Sequence, residues 1–434
     1  MNHRRVSRAF ALLAWLLAAI LAGRPAPLAA AEATEITMWS NWPDEPAKKA
    51  WVSARVQAFE TAHPDCTVKL SFIPKADIYT QATSAVRTGQ APDIFYMEPD
   101  QPQFLAGGFL EPLDAYIDVA NGVEDWAKPA WTSKGKLYGL PVEAYTVELY
   151  YNRALLQKLG IAVPPSFQMT QAEFAALVQK GVAAGITPVA QGVGDRPFPG
   201  GFLLFESLLR KLGPEDYGKL LNGGLSFKDP RVTEVMTWVK GLVDAGAYPK
   251  SFSTLKLGES HFYFYNTPGA LTFPDPSWFT GRAFASPETG GMPADFPLGI
   301  MQFPAMESGN CPECKTLAVG GSFVIYAKSQ HKACAGALLN SMATVENGTK
   351  WMEQVALQTG IRSDPSKIVS PHASYFTELN ARDKGARYFF GTPLLYYRGK
   401  CADTYAQVMN NAFPAGLLSV AEAADKMDAA CFKG

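Results

Sequence analysis

The residues best equipped for chemistry are few and scattered. Six cysteines occur, at Cys66, Cys311, Cys314, Cys334, Cys401 and Cys431. Cys311 and Cys314 have the C-x-x-C spacing of half a zinc site or of a redox pair. Zinc needs two more ligands, yet the chain has no second C-x-x-C and no nearby histidine pair. A redox pair should open a helix after a strand, whereas this motif sits in a polar Gly-Asn-Cys-Pro loop. An even cysteine count favours structural disulfides, and sequence alone leaves their connectivity open. Past the N-terminal segment the histidines are His63, His261, His331 and His372, none at ligand or triad spacing. G-x-S-x-G, H-E-x-x-H, G-x-x-x-x-G-K and a helix-opening G-x-G-x-x-G are all absent. The adjacent acids Asp44 and Glu45 could in principle work as a glycosidase pair, but loop acids are far more often solvated. The expectation is a protein that binds rather than an enzyme, with no cofactor.

The elements that position these residues read as α/β. Alternation predicts strands at 35–39 and 67–73, and a third strand is expected at 92–97, with amphipathic helices over 47–62 and 78–88 between them. Pro46 suits a helix start, and Gly89 a helix end. Strand-helix-strand-helix-strand implies a parallel sheet covered by helices. The same grammar returns with strands at 146–152, 187–191, 270–273, 298–303 and 322–327. Helices are expected over 153–159, 202–211 and 230–245, and a helix-rich tail over 334–355 and from 375 to the end. There is no internal repeat and no low-complexity linker.

Composition sets the class. The 434 residues are 47% hydrophobic and 18% charged, with a formal net charge of -1, which excludes disorder. The length suits two or three domain-sized units. Near-neutral charge without a basic run argues against nucleic-acid binding. The first segment reads as an export signal: Arg4, Arg5 and Arg8 precede an apolar run from Phe10 to Ala22, and Ala29, Ala30 and Ala31 suit cleavage before Glu32. No cysteine lies near that point to carry lipid, so a freely soluble periplasmic protein is expected.

Several segments together resemble a known family. They are Ile36-Thr37-Met38-Trp39-Ser40, Gly89-Gln90-Ala91-Pro92-Asp93-Ile94-Phe95-Tyr96, Leu105 to Leu113, Gly135 to Ala144, Leu149-Tyr150-Tyr151-Asn152-Arg153 and Gly320-Gly321-Ser322-Phe323. Their order and spacing resemble the extracellular solute-binding proteins of ABC importers, the group that includes maltose-binding protein. The resemblance implies a type II periplasmic binding protein fold: two α/β lobes with a hinge and an interlobe ligand cleft. It puts a signal peptide at 1–31, lobe 1 at 32–142 plus 319–365, and lobe 2 at 143–318 plus 366–434. Cys66 and Cys334 then share lobe 1, Cys401 and Cys431 share the lobe 2 tail, and Cys311 and Cys314 close a tight loop. This pairing would leave lobe motion free.

The implied ligand is a sugar or polyol, and the implied partners are ABC permease subunits, with the protein a monomer. Sugars need aromatic platforms and directional polar groups. By resemblance, Trp39, Asn41, Trp42 and Asp44 line the cleft after the first strand. Glu98 follows the third strand as a hydroxyl acceptor, with Asp100 two residues on. Glu143 and Tyr145 sit on the first crossover. Asp195 and Phe198 lie in a Gly/Pro-rich loop after a lobe 2 strand, and Asp275 precedes the expected cleft tryptophan Trp278. Gly321 and Ser322, with Gly320, could offer backbone N–H groups. The alternative is a ferric-ion or other small-solute binder of the same fold, for which Tyr150-Tyr151 and Tyr396-Tyr397 are the adjacent tyrosines. Alternation in a strand would send Tyr150 and Tyr151 to opposite faces.

Overall fold

The computed structural model describes residues 33–195, 198–266, 269–369 and 372–434. The expected export signal and Arg196 lie outside these residues. The first lobe opens with β1 (Thr34–Ser40), α1 (Pro46–Ala62), β2 (Cys66–Phe72), α2 (Lys75–Thr88) and β3 (Ile94–Met97). Pro46 occupies the first turn of α1, where its missing N–H costs nothing. Gly89 ends α2 in the left-handed region with Arg87 in the last turn, a favourable end for the helix dipole. β1 pairs in parallel with both β2 and β3, as the strand-helix-strand order demands.

The chain then adds a short strand, β4 (Leu140–Pro141), and leaves the first sheet through Val142 and Glu143. The second lobe begins with β5 (Ala144–Asn152), β6 (Gln168–Thr170), α3 (Gln171–Ala183) and β7 (Thr187–Val189). It continues through α4 (Phe202–Asn222), α5 (Pro230–Asp244), α6 (Leu257–Tyr265), β8 (Ala270–Pro276) and α7 (Thr280–Ala283). β9 (Leu298–Ala305) and β10 (Cys314–Val319) follow. A capping box between Thr170 and Glu173 starts α3. α4 is broken at Gly213-Pro214, which explains why its helical pattern seemed to stop at 211.

At Gly320 and Gly321 the chain returns to the first sheet as β11 (Ser322–Ile325), followed by α8 (Lys332–Met342) and α9 (Val345–Val355). The tail runs through α10 (Ala373–Asp383), β12 (Arg387–Phe390), α11 (Pro393–Tyr396), α12 (Lys400–Gln407) and α13 (Val420–Cys431). The first sheet has the order β2-β1-β3-β11-β4. The second has the order β12-β10-β5-β8-β7, with β9 paired to β5 and β6. Four of these strands were not expected: the short β4 and β6, and β10 and β12, which pair with each other in parallel at the edge of the second sheet. The tail is therefore not purely helical, and β12 is too short for alternation to reveal it.

Each lobe has its own core. The first is built around Trp51, Trp131, Trp351, Phe95 and Tyr96. The second divides across the two faces of its sheet, so Tyr150 packs with Phe273 and Phe279 while Tyr151 packs with Phe174 and Leu177. Disulfides join Cys66 to Cys334, Cys311 to Cys314 and Cys401 to Cys431. The first ties β2 to α8 inside the first lobe, and the other two lie inside the second. Removing the Cys66–Cys334 link by double substitution to alanine should lower unfolding free energy by about 2–5 kcal/mol. Urea titration of the oxidised wild type and the variant measures it.

Candidate functional site

Two strand ends converge where the chain passes between the sheets. β3 ends at Met97 and delivers Glu98, Pro99 and Asp100. β12 ends at Phe390 and delivers Gly391 and Thr392. The crossovers are zipped together: Glu143 N–H donates to Gly321 O at 2.8 Å, and Gly320 N–H donates to Glu143 O at 2.9 Å. A third segment joins them, since Ala144 N–H donates to Gln358 O at 3.0 Å. Between these ends lies a small cavity of about 50 Å³. Glu98, Asp100 and Ala130 of the first lobe face Phe390, Thr392 and Leu395 of the second across it, with Tyr145 at the crossover.

Its polar groups have definite states. Glu98 accepts from Lys75 and from the Tyr96 hydroxyl. Burial would raise its carboxyl, but Lys75 outweighs that and holds it below the ordinary value. Asp100 is different: burial and then the charge of Glu98 push it up to about 6. Burial and the nearby acids raise the Tyr145 phenol, which stays protonated and lines the cavity with Thr392. The cavity thus offers a carboxylate, a carboxyl that titrates, a phenol and an apolar ring. Such a set can hold a hydroxylated molecule by its edges and faces.

Beside the cavity lies a buried ionic knot. Lys48 Nζ sits 2.9 Å from Glu143 Oε2 and 2.8 Å from Glu45 Oε2. It also lies 5.2 Å from the centre of the Trp42 ring. Burial alone would lower the Lys48 ammonium, but the two carboxylates hold it above its ordinary value. One cation serves two acids unequally. Glu45 is held below its ordinary value despite its burial, whereas burial pushes the enclosed Glu143 up. Glu143 is therefore not a free acceptor in this state.

The expected residues separate into groups. Glu98 and Tyr145 line the cavity, and Glu143 lies beside it. Trp39 is half-buried against the first core, Asn41 is buried and Asp44 is exposed. Trp42 is placed in the core rather than on a platform: it takes φ +75° and packs edge-on to Tyr96, with Phe323 and Trp351 around it. A Cβ at Gly321 would collide with the Trp42 and Tyr96 rings, so this glycine serves close packing. Ser322 is also inward, accepting from Trp131 Nε1 at 2.8 Å and donating to Gly320 O. Asp275 is fully buried, 3.3 Å from His261 Nε2. Burial raises its carboxyl and lowers the His261 imidazole, so the pair is neutral. Trp278 stacks on His261 at 5.7 Å and packs against the first lobe's core, bridging the lobes. Asp195 is exposed and accepts from Leu257 N–H at 2.8 Å, which stabilises its loop. The Phe198 side chain lies outside the description.

Sequence reasoning missed Lys48, Lys75 and the Phe390–Thr392 turn. Lysines at 48 and 75 resemble a solvated helix face, and only the third dimension shows the acids they meet. Of the tyrosine pairs, Tyr150 bonds to Tyr375 and Tyr396 donates to Phe390 O, while Tyr397 packs on Tyr405. Among the described residues no three His, Cys, Asp or Glu side chains gather at metal-binding distance. No described helix is long and apolar enough to cross a membrane.

The sequence matches the family described as bacterial extracellular solute-binding protein over residues 42–349, well over half its length. The chain belongs to that family. The multiple sugar-binding protein of Streptococcus mutans is 25% identical over 349 residues, covering 76% of each chain. The arabinooligosaccharide-binding protein of Bacillus subtilis is 22% identical over 80% of this chain and 78% of its own. Among solved structures, a chitin oligosaccharide binding protein superposes with a TM-score of 0.77 at 18% identity, over 91% of this chain and 97% of that one. RafE in complex with raffinose superposes with a TM-score of 0.71 at 18% identity, over 92% and 98%. These structures share the two-lobed α/β fold. The family is one of binding proteins rather than enzymes.

Two outcomes follow from the charges. Lys48→Met leaves Glu143 buried without its cation and should cost about 3–5 kcal/mol in urea unfolding at pH 7. Asp100 has a folded value above its ordinary 3.8, so its ionisation opposes folding. Stability due to this group is greatest at low pH and falls as pH rises from 3.8 to about 6. Comparing Asp100→Asn with wild type across that window should show the variant without this decline.

Proposed function

We propose that this protein is the substrate-binding component of an ABC importer, and that it captures a carbohydrate or polyol between its lobes and delivers it to a membrane permease. The observation that carries the reading is the cavity itself. It lies at strand ends between two lobes and pairs an aromatic ring with a carboxylate and a phenol. The relatives named above bind sugars, which supports the same ligand class. In this reading the lobes are 32–142 plus 319–365 and 143–318 plus 366–434, with hinge segments at 142–143, 320–321 and after 358. Glu98, Asp100, Tyr145, Phe390 and Thr392 hold the ligand, and Trp278 joins them as the lobes part. Trp39, Asn41 and Asp44 would border the entrance. The ligand favours the closed state through contacts that only that state completes. The protein works in the periplasm as a monomer, exported by its N-terminal signal.

A thermal-shift screen against sugars, polyols, amino acids and ferric salts tests this. A binding protein rises in midpoint with its ligand by mass action. A sugar or polyol should raise it, and Tyr145→Phe or Trp278→Ala should then weaken calorimetric affinity by about tenfold while the fold persists. A rise with ferric salts alone would replace the carbohydrate reading by a metal one.

A further inference from the structure

The cleft has an open end and a filled end. At the open end is the cavity between Asp100, Glu98 and Thr392. At the other end the Lys48 side chain crosses the gap between the lobes. It is only 4% exposed, and the carboxylate of Glu45, just ahead of its own helix, and one from the crossover hold its ammonium. Its Cε lies 3.6 Å from where a Cβ would stand on Gly281 of α7, in the second lobe, and Glu45 Oε2 lies 3.9 Å from that point. The lobes approach van der Waals contact there, with Leu357 also 3.6 Å from the same point. Beyond this contact the fold carries groups suited to a ligand. His261 and Asp275 are buried with ring nitrogens and carboxyl oxygens lacking hydrogen bonds, and the Trp278 ring stacks on His261.

We propose that Lys48 is a plug that sets the ligand's length: ion-paired to Glu45 and Glu143, it closes the inner end of the cleft and restricts the site to a mono- or disaccharide. This rests on the carbohydrate reading above. Displacing the plug would strand two carboxylates, so a longer chain gains contacts only by breaking the pair. Lys48 is thus a specificity-determining residue. It acts by occupying space and needs no contact with the sugar.

The test is calorimetry with two chain-length series, glucose, maltose and maltotriose, and xylose, xylobiose and xylotriose. Wild type should bind the trisaccharide of its preferred series at least about tenfold more weakly than the shorter members. Lys48→Ala combined with Glu143→Gln removes the cation and neutralises the acid it would strand. Once circular dichroism shows this variant folded, the length penalty should shrink to about threefold or less. Equal wild-type affinity for disaccharide and trisaccharide would overturn the plug and leave the carbohydrate reading standing. So would a folded variant with the full penalty. Failure of every saccharide in both series, with a midpoint rise for a different solute class, would instead remove the reading on which the plug rests.

Discussion

One buried ammonium organises the junction between the lobes. Lys48 comes from the first turn of α1, and Glu143 from the segment that leaves the first sheet. A charge taken out of water must find a partner of opposite sign, and here the only economical arrangement draws the helix start and the crossover together. Trp42 can then turn beneath the ammonium, and Gly321 must stay without a side chain because two rings occupy that space. The crossover hydrogen bonds between Glu143 and the two glycines keep the segments in register. Charge pairing, aromatic packing and backbone pairing thus fix one small region from which both sheets diverge.

The cleft inherits its character from that region. The acids near it are unequal because their neighbours are unequal. Glu98 has a lysine and a phenol, whereas Asp100 has an amide from Gln101 at 3.1 Å and the repulsion of Glu98. Two carboxyls two residues apart therefore differ in charge over part of the physiological range. The result is a surface that presents both a donor and an acceptor, as binding to hydroxyl groups requires.

Much of the fold was legible in the chain. Alternation marked β1 and β2, whose residues are unequally buried, and Pro46 and Gly89 marked helix ends for steric reasons. β10 and β12 were not legible: all six residues of β10 are buried, so no alternation survives, and β12 has four residues. For the site, the positions of Glu98 and Tyr145 after or near strand ends pointed to the cleft. The roles of Trp42, Ser322 and Asp275 could not be read that way. A residue beside a strand end can turn toward the gap or into the core, and the choice depends on partners such as Trp131 and His261 that are remote in sequence.

The disulfides also stand in a definite order along the chain. A chain that emerges N-terminus first presents Cys66 long before Cys334, its partner 268 residues on. Cys311 and Cys314 emerge in between and are rivals for it. They are only three residues apart, and so short a loop closes with little loss of chain entropy. Paired with each other, they leave Cys66 to Cys334, and none of the three bonds joins the two lobes. The C-x-x-C spacing thus keeps two thiols of the second lobe out of a bond to the first that would weld the hinge shut.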